Sequence, residues 1–259
     1  MSKLNSSSRK INGFILVIII LLVWEFYSRF ISKSIFLTPV SIVLSTFFTQ
    51  LFNLTYLGEI GTTLARWLSG YLISAFIMIP LGILMGKSKF IYNLFEPLVE
   101  FFRPLPSASI IPIAILFLGI GAKMKLFVIF FGASWPILIN AVDGVRGIEP
   151  TYIQTGFIFG LSKNRIMKEI IIPASLPNIF TGLRISMAIA LILAITVEMI
   201  AGGDGIGYYI LDAERSFHFA EMYSGVLTIG LIGYFLNLLF IALENKVLWW
   251  YKESKKISK

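Results

Sequence analysis

The 259-residue sequence contains no cysteine and few charged residues. The absence of cysteine excludes disulfides, thiolate metal ligands and thiol nucleophiles. Charged residues make up 14% of the chain, against about a quarter in soluble proteins. The single histidine, His218, is expected to be a surface or packing residue rather than a ligand. With 57% hydrophobic residues and a mean hydropathy of +0.84, the sequence predicts an integral membrane protein.

The hydropathy pattern predicts an all-α fold, a polytopic transmembrane bundle of about six spans that forms one domain over residues 1–259. The predicted spans are residues 11–24, 67–85, 104–118, 126–142, 179–201 and 226–243. No small-residue cleavage site follows the first, so an uncleaved span is expected rather than a signal peptide. Residues 32–61 are expected to form short helices outside the membrane.

Three residues in the predicted spans are candidates for a pore. Pro112 interrupts the short third span. Irregular backbone at membrane depth is tolerated only where protein or a water-filled cavity covers it. Ser107 and Ser109 in this span are therefore candidates for the wall of a pore. Close helix packing by small residues is the alternative. Glu198 lies in the apolar fifth span, where a pore or gate role competes with the favoured role of structural partner for an arginine or backbone group. Arg66 is expected to snorkel to the interface.

Lysine and arginine are unequally distributed between the two sides of the predicted bundle. Fourteen lie at the two ends of the chain, at Lys87 and Lys89, and within residues 146–168. The opposite side has five, namely Arg29, Lys33, Lys123, Lys125 and Arg215. This bias predicts cytoplasmic termini and explains the net charge of +8 without a nucleic-acid partner.

A polar segment between two apolar blocks, residues 154–177, organises the chain. Gly160 predicts a turn between two short helices, because it lacks a Cβ, and Ser162 predicts a helix N-cap. Pro173 is predicted to end the second helix, since it has no backbone N–H. One face of that helix is predicted to carry Lys163, Arg165 and Lys168, and the other Ile166, Met167, Ile170 and Ile171.

This segment resembles the cytoplasmic EAA loop of binding-protein-dependent ABC importer permeases, and the resemblance covers residues 62–245. The matching positions are Gly160, Ile170, Ile172 and Pro173, followed by Leu176 and Pro177 as in the nitrate, sulfonate and taurine branch. Gln154, Thr155 and Gly156 stand where the family has Glu-Ala-Ala. A similar Gly-rich turn in that branch corresponds to residues 202–208.

The resemblance implies a non-catalytic permease of the cytoplasmic membrane that binds no cofactor or metal itself. Its implied partners are two ATP-binding subunits, a second permease copy and an extracytoplasmic solute-binding protein that meets residues 32–61 and 202–223. Residues 154–173 would be a coupling helix in a groove on each ATPase, so that ATP-driven closure alternates the access of the pathway. The implied substrates are small anions such as nitrate, taurine or alkanesulfonates, or other small organic molecules.

The residues implied in that coupling share the 154–173 segment and are Gln154, Thr155, Gly156, Phe157, Phe159, Gly160, Leu161, Ser162, Lys163, Arg165, Ile166, Ile170, Ile172 and Pro173. Apolar anchors are expected at Phe157, Phe159, Leu161 and Ile166. The basic side chains Lys163, Arg165 and Lys168 are expected to pair with acidic residues of the ATPase.

Other functions fit the sequence less well. Residues 86–88, Gly-Lys-Ser, lack the earlier glycine and the strand of a nucleotide-binding loop, and residues 202–208 lack the βαβ unit of a dinucleotide loop. A six-span intramembrane protease would need a glycine where Trp135 follows Ser134, and a histidine inside a span. A secondary transporter driven by an ion gradient could use Glu198 as a proton site, but inverted repeats are not evident. Neither alternative uses a coupling segment.

Overall fold

The structure, a computed structural model, describes residues 6–32, 34–251 and 253, with side chains from residue 15 onward. All regular structure in these ranges is helical. The α-helices are α1 (Ser6–Phe26), α2 (Val40–Gln50), α3 (Leu54–Lys87), α4 (Lys89–Phe102), α5 (Ile111–Leu118), α6 (Ala122–Arg146), α7 (Pro150–Ile158), α8 (Lys163–Ile166), α9 (Ile172–Ala201), α10 (Ile206–Arg215) and α11 (Phe219–Val247). Two π-helical turns, Tyr27–Ile31 and Met167–Ile171, and a 3₁₀ turn, Ser107–Ile110, complete them.

Among the described residues, four helices are long and apolar enough to cross a membrane: α3, α6, α11 and the continuous helix Lys163–Ala201. Helix α4 and the segment Ser107–Leu118 qualify together as a fifth crossing, but a bend of 91° separates them. Helix α1 exposes an unbroken apolar run from Ile15 to Val23 and would bring the number to the predicted six. The predicted class, an all-α membrane bundle, is confirmed.

The core of the bundle lies where α6 packs between α3 and α9. Glycine allows close approach on both sides of α6. A Cβ on Gly82 of α3 would lie 2.5 Å from the Cβ of Ala141, and a Cβ on Gly182 of α9 would lie 2.7 Å from the carbonyl oxygen of Pro136. Small residues at helix contacts are the usual means of close packing in membranes, where no hydrophobic effect drives the helices together.

Buried polar side chains bridge the same helices through backbone carbonyls. The indole N–H of Trp67 on α3 donates to the carbonyl of Met187 at 3.1 Å, and the hydroxyl of Ser186 on α9 donates to the carbonyl of Ala133 at 2.6 Å. Each bond satisfies a donor that would otherwise be unpaired in an apolar environment. Helices α3, α6 and α9 are thereby fixed to one another near their middle.

The prediction that Pro173 ends a helix is wrong. The π-helical turn at Met167–Ile171 runs directly into α9, in which Pro173 occupies the second position. Because the wider turn shifts the hydrogen-bond ladder immediately before the proline, the ring and its missing N–H are accommodated without a break. One continuous helix therefore links the polar segment to the fifth predicted span.

The outer segments are more helical than the sequence predicted. Helix α3 already begins at Leu54, because the side chain of Asn53 caps it by accepting from the N–H of Thr55 at 2.9 Å. Of the short helices expected within residues 32–61, α2 is present and lies against α11. The Gly-rich turn expected over residues 202–208 ends early, because α10 already begins at Ile206.

Candidate functional site

The polar segment folds as two helices around a glycine turn. Helix α7 ends at Ile158, and Gly160 has φ +72°, a left-handed conformation that side chains with a Cβ disfavour. Ser162 then caps α8, its hydroxyl oxygen accepting from the N–H of Arg165 at 3.4 Å. The predicted turn and the predicted N-cap are both confirmed.

Helix α7 is seated directly on the start of the long helix 163–201. A Cβ on Gly156 would lie 2.7 Å from Cδ1 of Ile170 and 3.3 Å from Cγ1 of Ile166, so the two helices touch through the glycine. Ile166 is 3% exposed and belongs to a buried cluster with Val145 and Ile171. Gly156 stands at the last position of the Glu-Ala-Ala triad of the EAA loop, where importer permeases have a small residue.

Helix α7 and the turn after it expose large apolar side chains. Tyr152, Phe157, Ile158 and Phe159 are 60%, 53%, 83% and 78% exposed, and we call these four residues the docking face. Exposed apolar patches of this kind mark contacts with another protein or a membrane. Tyr152 and Ile158 were missed by sequence reasoning, although Pro150, a typical first residue of a helix, was the signal for where α7 begins.

One of the four anchors predicted for the ATPase contact is wrong. Ile166 is buried under α7 and stabilises the segment from within. Leu161 is half-buried against the same apolar cluster, and its contact with the ATPase stays a prediction. A partner protein could not reach Ile166 without separating α7 from the long helix. Phe157 and Phe159 remain accessible.

The other residues predicted to couple to the ATPase surround the buried cluster around Ile166. Gln154, Thr155, Lys163 and Lys168 are exposed, whereas Ile172 and Pro173 are half-buried at the start of α9. Arg165 is exposed too, but its Nε donates to Oε1 of Glu169 at 2.8 Å. An exposed pair of this kind contributes little to stability and can be exchanged for another acidic partner.

A cavity of about 820 Å³ lies behind the docking face. Its walls come from the end of α6, from α7, from the start of α9 and from Trp250 and Tyr251. Both aromatic residues thus line the cavity. Tyr152 and Phe159 of the docking face also line it, so the cavity adjoins that face. The basic residues that follow, like those before Ser6, lie outside the described residues.

The three pore candidates have separate surroundings. Ser107 packs on α6, where its Oγ lies 2.9 Å from the position of a Cβ on Gly132. The hydroxyl of the exposed Ser109 donates to the carbonyl of Pro106 at 2.6 Å within its own turn. Glu198 is fully buried near the end of α9. Their pore role stays a prediction.

Glu198 is the centre of a buried ion cluster at the other end of the bundle from α7. Its carboxylate accepts from Nη1 of Arg66 at 2.9 Å, from the hydroxyl of Thr63 at 2.7 Å and from the N–H of Gly207 at 3.2 Å. The favoured role of Glu198, partner of an arginine and a backbone group, matches this geometry. The prediction that Arg66 snorkels is wrong, because a partner on α9 holds it inside, with 13% of its side chain exposed.

Asp204 extends the cluster from the glycine-rich turn between α9 and α10. Its Oδ1 accepts from Nζ of Lys125 at 2.7 Å, and its Oδ2 accepts from Nη2 of Arg66. The hydrogen bond from Lys125, and then that from Arg66, lowers the pKa of the carboxyl. Glu59 accepts from the N–H of Gly205, which ties the turn to α3. Sequence reasoning missed these partners, because 79 residues separate Lys125 from Asp204.

Motifs typical of other functions have structural roles here. Ser88 caps α4 by accepting from the N–H of Ile91 at 3.4 Å. The hydroxyl of Ser134 donates to the carbonyl of Phe130 at 2.6 Å inside α6. His218 is 64% exposed and lies 3.9 Å from Glu221. Ser134 is 1% exposed, and its hydroxyl is engaged by a carbonyl of its own helix.

Fold and site together define a multi-pass helical membrane protein with an exposed apolar helix and a cluster of ion pairs at opposite ends of its bundle. Residues 78–247 match the family described as binding-protein-dependent transport system inner membrane component, and the chain belongs to this family. It is thus a permease, the transport subunit of an ABC importer. Membership implies separate ATP-binding subunits and a solute-binding protein as partners.

Two relatives and one solved structure illustrate the similarity. The chain is 35% identical over 189 residues to a nitrate import permease protein of Synechocystis, covering 73% of this chain and 69% of the relative. It is 28% identical over 240 residues to a Bacillus subtilis protein named for aliphatic sulfonates transport, covering 92% and 87%. The MetNI methionine ABC transporter shares the fold, with a TM-score of 0.62 at 17% identity, over 71% of this chain and 92% of that chain.

Proposed function

We propose that this permease moves a small anion of the nitrate, sulfonate or taurine type, or a similar small organic molecule, across the cytoplasmic membrane by alternating access. Two ATP-binding subunits, a second copy of this chain and an extracytoplasmic solute-binding protein complete the transporter. Both termini and α7 face the cytoplasm. ATP hydrolysis belongs to the partner subunits, and this chain itself binds no cofactor or metal. Relatives named for nitrate import and sulfonates transport support the substrate class.

The observation that carries the proposal is the docking face. Four large apolar side chains, on α7 and the turn after it, are more than half exposed on a segment with three exposed basic residues. Apolar anchors within a polar rim are the usual composition of a protein–protein contact. The docking face is the part of this chain that contacts the ATP-binding subunit.

The way α7 is held explains how force reaches the membrane. Gly156 rests on Ile170, and Ile170 is part of one helix of 39 residues, Lys163–Ala201. A displacement of α7 therefore moves this helix as a rigid body, because the contact leaves no space to absorb the motion. The far end of the same helix carries Glu198, so both ends of the bundle move together.

Co-purification with the ATP-binding subunit tests this contact. We expect the double variant Ile158→Glu/Phe159→Glu to lose the subunit, because two charges replace the most exposed apolar anchors. The variant Lys163→Glu/Arg165→Glu should weaken binding most at low salt, because salt screens the repulsion between the new carboxylates and the acidic residues expected on the ATPase. Phe52→Glu is the matched control, since Phe52 is 88% exposed at the opposite end of α3.

Retention of the ATP-binding subunit by Ile158→Glu/Phe159→Glu would contradict the proposal. Helix α7 would then be an ordinary connection between spans. Transport by an ion gradient, with Glu198 as the proton site, would become the function to test, by measuring uptake with and without a proton gradient.

A further inference from the structure

Arg66 and Lys125 are two cations with little exposure that share one exposed anion. The side chain of Lys125 is 4% exposed and that of Arg66 is 13% exposed, whereas that of Asp204 is 49% exposed. The two oxygens of the Asp204 carboxylate each accept from a different cation. The cations are thus part of the bundle, while the anion that neutralises them lies on the solvent side.

We propose that Arg66 and Lys125 form a binding site for a small oxyanion, and that the Asp204 carboxylate occupies the ligand's place in this structure. The inference rests on the proposed function, because it identifies where an anionic solute first binds to the permease. A planar guanidinium and an ammonium aimed at two oxygens of one group match the geometry of nitrate or a sulfonate as well as that of a carboxylate.

The exchange requires only that the Asp204 side chain rotates into solvent. The backbone of its turn is held independently, since the N–H groups of Gly205, Ile206 and Gly207 donate to Glu59, Thr63 and Glu198. The carbonyl of Asp204 also accepts from Nη1 of Arg66 at 3.3 Å, which leaves that guanidinium positioned after the side chain has left. The site therefore persists while its internal anion is replaced.

Charge balance favours exchange over simple opening. Glu198 already neutralises part of Arg66, and Glu59 is engaged by the Gly205 amide, so Asp204 is the partner of Lys125. Removal of the carboxylate alone would leave a nearly buried ammonium unpaired, which is strongly unfavourable. When one anion enters as the carboxylate leaves, the net charge of the cluster stays unchanged. A cation or a neutral solute gains no such compensation.

The test is rescue by anions in the purified importer complex. The variant Asp204→Ala removes the internal anion and leaves space for a ligand. In sodium gluconate, whose anion is bulkier and more strongly hydrated than nitrate, we expect its Tm to fall by about 5 °C or more. At equal ionic strength, nitrate or methanesulfonate should raise the Tm back towards the wild-type value, with saturation in the millimolar range.

Two controls separate a site from a general salt effect. The variant Asp204→Ala/Lys125→Met lacks one of the two cations and should show no saturable response. Asp212→Ala removes an exposed carboxylate from α10 and should behave as the wild type does. The proposal is overturned if Asp204→Ala responds equally to nitrate and gluconate, or if the double variant responds as strongly as the single one.

If Asp204→Ala does not fold in gluconate, Asp204→Asn provides the same comparison with side-chain size retained. An amide does not neutralise Lys125, so this variant should also gain stability in nitrate. The result is independent of the ATPase contact, which lies at the other end of the bundle. Co-purification of the ATP-binding subunit without anion rescue would refute the oxyanion site alone, and rescue without co-purification would refute the coupling proposal alone.

Discussion

Cδ1 of Ile170 lies 2.7 Å from the point where a Cβ on Gly156 would be, so only glycine allows α7 to rest on the long helix at this position. The two residues are the physical connection between the docking face and the helix 163–201. Their contact lies within a buried apolar cluster, where close packing transmits displacement rather than absorbing it.

We expect Gly156→Val to uncouple the ATP-binding subunit from transport. The added side chain must push α7 away from Ile170, at a cost of about 1–3 kcal/mol for overpacking. Substrate uptake should fall strongly while the protein still inserts into the membrane and keeps its bundle. Gly230→Val is the matched control, because Gly230 is also helical and has nothing within 4 Å of its Cβ position.

A compensating substitution makes that prediction stricter. Ile170→Ala creates space opposite the new side chain, so Gly156→Val/Ile170→Ala should recover uptake relative to Gly156→Val. No recovery in the double variant would show that Gly156 is needed for a reason other than its contact with Ile170.

The pair of Arg66 and Glu198 predicts a non-additive loss of stability. Arg66→Met leaves a fully buried carboxylate without its cation, which destabilises a protein by about 3–5 kcal/mol. Arg66→Met/Glu198→Gln removes both charges and should have a higher Tm than Arg66→Met alone. Thermal unfolding in detergent measures the effect, and equal Tm values for the two variants would argue against a direct pair.

The left-handed backbone at Gly160 predicts an order among substitutions. Gly160→Val places a branched side chain at φ +72° and should destabilise the turn, since left-handed backbone costs L-residues about 1–2 kcal/mol. Gly160→Asn should retain more of the ATPase contact, because asparagine tolerates this region best. Co-purification of the ATP-binding subunit ranks them. Gly203→Ala, in open space, is the control, and a ranking with valine above asparagine would contradict the argument.

The absence of cysteine allows a direct test of orientation with single-cysteine variants. Ile158→Cys and Phe52→Cys each place a thiol at an exposed position, 83% and 88% exposed respectively. Ile158 lies on α7, and Phe52 precedes α3 at the other end of the bundle. A membrane-impermeant thiol reagent should label Phe52→Cys in intact cells and Ile158→Cys only after permeabilisation. Val128→Cys, at a position with 0% exposure, should stay unlabelled throughout. The opposite labelling order would reverse the proposed topology.

The sequence alone determined the class of the protein and the local form of its polar segment 154–177. Composition and hydropathy report the solvent that surrounds a chain, and they predicted the membrane bundle. The turn at Gly160 and the cap at Ser162 depend on neighbouring residues only, so local chemistry was sufficient to predict them.

Only the tertiary structure decided which residues face outward and which charges pair. Ile166 and Ile158 are both isoleucines of one segment, yet one is 3% and the other 83% exposed, because α7 covers only one of them. Arg66 has its partner on α9, 132 residues away, and no local pattern distinguishes it from an arginine at an interface. Contacts between distant helices depend on how the bundle packs, and that packing brings Lys125, Arg66 and Asp204 together.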